Sequence, residues 1–147
     1  MPWQTEVVAA SRHAAQAIAD MQAPSSTHAG FIFNGFDRVK LCTLLCLIAG
    51  DDALAQFDEQ LASLEIVTAT HEEWPMVTVI DAPRVAALAE LAAWEHGAFH
   101  QLVHRWKATD EFEDWNEADV HALLHELVEL AETAKFKQQC LLIWQAP

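Results

Sequence analysis

Apolar and polar positions alternate along this chain with two periods, and the helical one dominates. After Thr5, which can cap a helix, Val7, Ala14, Ile18 and Met21 share a stripe, and the spacing predicts a first helix over roughly Glu6 to Met21. Ala23 to Thr27 reads as a connecting loop, and Phe31 to Phe33 as a short extended piece. Asn34, with Asp37 close to the place of a capping-box partner, predicts the start of a second helix. That helix is apolar around most of its circumference from Val39 to Ile48, which marks it as buried, and Gly50 stops it. Asp51 or Asp52 caps a third helix ending near Ser63.

Leu64 to Ala69 and Met76 to Ile80 are β-branched runs separated by a polar loop, His71 to Pro75, and predict a strand pair. Asp81 and Pro83 open a long fourth helix ending near Lys107. Thr109 to Trp115 is an acidic loop, and Asn116 caps a fifth helix to about Lys137. Cys140 to Trp144 reads as a third strand or a packed tail. The expected fold is therefore mostly α: about five helices in one compact domain spanning residues 1–147, with a small β-hairpin or three-stranded minor sheet (α+β).

The length, 147 residues, suits one domain that buries its own core. No apolar stretch reaches the roughly 20 residues that span a bilayer. Met1 to Ala10 shows no basic region followed by an apolar run, so no secretory signal is expected. The three cysteines form no Cys-x-x-Cys pair, and Cys42 and Cys46 lie in an apolar helical pattern, as buried thiols in a reducing cytoplasm would.

Charge changes the picture. The formal net charge is −14, from 22 acidic and 8 basic side chains. Like-charged nucleic acids and anionic membranes are disfavoured as direct partners, and basic proteins are favoured. The acids are also segregated. Residues 51–80 hold seven and residues 108–132 hold nine, with no Lys or Arg in either block, whereas the rest of the chain is nearly balanced. A merely solubilising surface would intersperse Lys with Glu, because i, i+4 pairs stabilise helices. Within these blocks, carboxylates alternate with large aromatics at Glu72, Glu73 and Trp74, and at Asp110, Glu111, Phe112, Glu113, Asp114 and Trp115. Carboxylates steer a basic partner and tryptophans anchor it, so these nine residues are the expected partner-binding set. The competing reading is that the aromatics only pin their loops to the core.

Eight histidines raise the question of metal. His96, His100 and His104 form one stripe on the expected fourth helix, and His121 and His125 pair on the fifth. A zinc-protease signature fails because position 129 is Glu rather than His, and the di-iron Glu-x-x-His spacing is absent. No metal and no cofactor are expected. A helical bundle binding metal through His96, His100, His121 and His125 stands as an alternative. Glu95 falls within about 20° of the centre of the apolar face, where a carboxylate must be paired, protonated or at an exposed helix end.

Motifs for catalysis are lacking. Four isolated glycines build no phosphate loop, and there is no Gly-x-Ser-x-Gly elbow, so an enzyme is not expected. In acidity, size, tryptophan content and lack of catalytic motifs, the chain resembles an immunity protein or antitoxin. The expected role is accordingly that of a small acidic cytoplasmic protein that blocks a more basic toxin. A nucleic-acid-mimicking inhibitor of a nuclease or defence complex is the nearest alternative, and the oligomeric state is left open.

Overall fold

The computed structural model describes residues 3–50 and 55–147. It overturns the expectation of about five helices with only a small, minor sheet. The protein is α+β, with six α-helices and a five-stranded antiparallel sheet among the described residues. The strands are β1 (Gln4–Ala10), β2 (Gly30–Ile32), β3 (Glu65–Thr68), β4 (Met76–Ile80) and β5 (Cys140–Ala146), in spatial order β2-β1-β5-β4-β3. The helices are α1 (Ala15–Ala19), α2 (Arg38–Ala49), α3 (Phe57–Ser63), α4 (Ala82–Glu90), α5 (His96–Lys107) and α6 (Glu117–Phe136).

The error lies at the start of the chain. The segment expected to open a helix at Glu6 is β1, followed by a 3₁₀ turn and the five-residue α1. β1 pairs with β2 on one side and along its whole length with β5 on the other. Both faces of the sheet are covered. Val7, Ala9, Ile80, Leu141 and Ile143 face the large core under the helices, whereas Val8, Ala10, Val77, Val79, Leu142 and Trp144 face a smaller core closed by Ala15, Ile18 and Ala19 of α1. A strand buried on both faces loses the apolar–polar alternation that betrays a strand, and Val-Val-Ala-Ala then passes for helix. Thr5 is not a helix cap: it is buried in β1, and its hydroxyl donates to the Phe36 carbonyl at 2.9 Å. The buried carboxylate of Glu6 accepts from the Ser25 hydroxyl at 2.6 Å and the Ser25 amide at 3.0 Å.

The remaining elements follow local rules. Asp37, not Asn34, caps α2, accepting from the Lys40 amide at 2.9 Å, and Gly50 (φ 120°) ends the helix. Residues Lys40 through Leu47 are all buried, as expected of the central helix. The expected caps of the third helix, Asp51 and Asp52, lie outside the described residues. β3 and β4 form the expected antiparallel pair. Asp81 caps α4 with Pro83 in its first turn, and Asn116 caps α6, accepting from the Asp119 amide at 2.8 Å. The expected long fourth helix is two helices. Extended backbone at Trp94 and Glu95 follows a 3₁₀ turn and separates α4 from α5. Glu95 therefore sits exposed at the N-cap position of α5, and its place on a continuous helical wheel disappears.

Candidate protein-binding face

One end of the sheet gathers the start of β1, the start of β4 and the ends of β2, β3 and β5, since Gln4 pairs with Ala146, Gln145 with Met76, and Met76 with Thr68. Two connections cross this end. The first, residues 69–75, joins β3 to β4 and carries Glu72, Glu73 and Trp74. The second, residues 33–37, runs from β2 into α2 and is tied to β1: the Phe33 amide donates to the Thr5 carbonyl and the Thr5 amide to Asn34 Oδ1, both at 3.1 Å.

Trp74 meets Trp3 edge-on at 4.6 Å between ring centres, and its peptide bond to Pro75 is cis. Trp3 is 44% exposed and Trp74 is half-buried. Together with residues 35–39, Thr5 and Gln145, the two rings line an open groove of about 310 Å³. The Arg38 guanidinium donates to Met76 Sδ at 3.2 Å along its wall. The 69–75 connection is fixed from below by Asp20, which accepts from the Thr70 amide at 2.6 Å and the Thr70 hydroxyl at 2.8 Å. Those hydrogen bonds, the backbone one foremost, hold the Asp20 carboxyl below its ordinary pKa. Glu72 and Glu73 are exposed on the same connection, Glu72 facing a neighbouring concavity with Asp20, Thr70 and Trp144.

The acidic loop approaches the 33–37 connection from the other side. Asp110–Phe112 form a 3₁₀ turn that drives Phe112 inward. Its ring is fully buried, 4.8 Å from Trp106 and 5.0 Å from Trp115, so Phe112 anchors the loop and offers no surface to a partner. Trp115 is half-buried and stacks on Phe33 at 5.5 Å, and its edge lies over Gly35. Gly35 has φ 93°, and a Cβ there would stand 2.9 Å from Trp115 Cζ2, so both backbone and neighbour require glycine. The buried ammonium of Lys40 lies 5.5 Å from the Phe112 ring centre, 5.7 Å from that of Trp115 and 3.7 Å from Asp37 Oδ2. Glu111 is partly turned in, its Oε1 accepting from the Thr43 hydroxyl at 3.3 Å, while Asp110, Glu113 and Asp114 are exposed.

The structure thus brings one tryptophan of each acidic aromatic segment to the same connection, Trp74 along the groove and Trp115 over Gly35. No salt bridge among the described residues engages Glu72, Glu73, Asp110, Glu113 or Asp114, whereas Glu65 pairs with Arg12 and Asp81 with Arg84. Trp3, Gly35 and Arg38 were not anticipated at this site. The Asn34-Gly35 dipeptide, a strong turn signal, could have located the connection, but nothing near Trp3 marks it as the partner of Trp74.

His96, His100, His104, His121 and His125 lie elsewhere, on α5 and α6. His96 and His100 stand 6.5 Å apart between ring centres, and His100 and His121, on different helices, 6.3 Å apart. His125 meets Glu129 at 3.1 Å and His104 meets Glu117 at 3.2 Å. Among the described residues no group of three or more His, Cys, Asp or Glu is close enough as it stands to hold a metal ion. The cysteines are unpaired by disulfide, and burial pushes the Cys42 thiol up to about 11 and raises Cys46 and Cys140, so thiolate chemistry is suppressed. Among the described residues no helix is long and apolar enough to cross a membrane. No protein-family model, curated protein or solved structure matches the chain.

Proposed function

We propose that this protein captures a more basic partner protein at the tryptophan-bearing end of its sheet and neutralises it, in the manner of an immunity protein or antitoxin acting in the cytoplasm. The observation that carries the proposal is the convergence of two acidic aromatic segments, about 40 residues apart in sequence, on the 33–37 connection. Glu72, Glu73, Asp110, Glu113 and Asp114 steer the partner's Lys and Arg side chains toward this end. Trp74 and Trp3 supply the adaptable aromatic contact, and Trp115 presents its exposed edge from a rigid seat. Phe112 and Lys40 act behind them, holding the acidic loop in place.

A pull-down from the producing cell, washed in parallel at low and high salt, tests the proposal. It expects one basic protein, retained at low salt and reduced at high salt. Replacing the five exposed carboxylates by Ala slows its association and flattens the salt dependence, and Trp74→Ala speeds its release. Unchanged kinetics in both variants would overturn the mechanism. Displacement of the captured protein by DNA or RNA would instead favour a nucleic-acid-mimicking inhibitor.

A further inference from the structure

We propose that α5 and α6 form a binding site for a divalent transition ion of the zinc, nickel and copper group, clamped between His100 and His121, with His96 as third ligand. The proposal is independent of the protein-binding face. The starting observation is a meeting of two elements remote in sequence. His96 and His100 lie one turn apart on α5, and the ring of His121 on α6 comes within 6.3 Å of His100. His121 lies edge-on against Phe99 at 5.7 Å, and both line a groove of about 470 Å³ together with His96, His125, Glu129 and Glu132.

The distances decide what must move. With metal–nitrogen bonds of about 2.0–2.1 Å, two imidazoles on one tetrahedral ion hold their ring centres roughly 5 Å apart. The rings seen here, at 6.3 and 6.5 Å, are each wider by about 1 Å. This is why no three groups converge as they stand. His96 and His100 are exposed and His121 is half-buried, so rotation about side-chain torsions closes the gap without moving either helix. Neutral imidazole is the ligand type this ion group takes, and two His one turn apart on a helix form half of such a site. Three nitrogens leave room for water to complete the coordination. His125 is engaged by Glu129 and His104 by Glu117, and neither belongs to the set.

The test is calorimetric titration of the full chain, prepared without an affinity tag, with Zn²⁺ and separately with Ni²⁺. One equivalent is expected to bind. His100→Ala and His121→Ala each weaken binding at least about tenfold, and His96→Ala weakens it less. His13→Ala and His28→Ala, far from α5 and α6 in sequence, leave it unchanged. Zn²⁺ raises the melting temperature of the parent chain, and His121→Ala abolishes that rise, because only a link between helices favours the folded state over either helix alone. Circular dichroism establishes that each variant is folded before titration. No saturable binding, binding as tight in His121→Ala as in the parent chain, or equal loss in the His13 and His28 controls would each overturn the proposal.

Discussion

The segments Glu72–Trp74 and Asp110–Trp115 have nearly the same composition and opposite construction. In the acidic loop a 3₁₀ turn folds the first aromatic into the core and stacks the second on Phe33, so the carboxylates stand on a rigid base. In the 69–75 connection the aromatic stays near the surface, its ring partner is the exposed Trp3, and the chain is pinned mainly through the Asp20–Thr70 hydrogen bonds. A mixture of carboxylates and tryptophans therefore does not say whether an aromatic anchors its own loop or reaches for a partner. The local backbone decides, by choosing which side chain points in.

Four substitutions break or sharpen this contrast. Phe112→Ala empties a fully buried site beneath the acidic loop and is expected to cost about 3–5 kcal/mol, read as a lower denaturation midpoint in urea. Gly35→Ala forces a β-carbon into a left-handed backbone and against Trp115, with an expected loss of about 1–2 kcal/mol in the same measurement. Trp74→Ala removes only a half-exposed edge-on pair and should cost about 0.5–1.5 kcal/mol, while having the largest effect of the three on partner release. If Trp74→Ala destabilises as much as Phe112→Ala, the contrast fails.

The smallest effect is on pH. The Asp20 carboxyl titrates below its ordinary 3.8 in the folded protein, so its contribution is fully present above that value and is lost as pH falls through the lower folded value. Protection of the Thr70 amide, its hydrogen exchange relative to an unstructured peptide at the same pH, should fall over that acidic window. In Asp20→Asn that fall should be absent and protection already lower at neutral pH. An identical profile in the variant would show that Asp20 does not hold the connection.

Much of the helical layer was legible in the sequence, because Asp81 and Asn116 cap their helices by local chemistry and α2 carries an apolar run broken only by Lys40 and Thr43. The β3–β4 pair was legible for the same reason: its branched runs flank an obvious loop. β1 was not, since its sheet neighbour β5 lies more than 130 residues away and α1 covers its second face. The break between α4 and α5 carries no Gly or Pro at Trp94 or Glu95, so periodicity ran straight through it. At the candidate site the acidic aromatic segments could be picked out by composition. Their meeting at the 33–37 connection and the burial of Phe112 depend on long-range packing that no local pattern encodes.

The strand order has a consequence for how the chain is made. β5 lies between β1 and β4, so the middle of the sheet is the part translated last. Until residue 146 has left the ribosome, β1–β2 and β3–β4 remain two separate strand pairs with a gap between them, each exposing an unpaired inner edge. Joining them requires contacts of high sequence separation, which form slowly. The newly made protein thus passes through an interval in which both edges are open to strangers, and its yield in the cell should depend on how quickly that last strand is inserted.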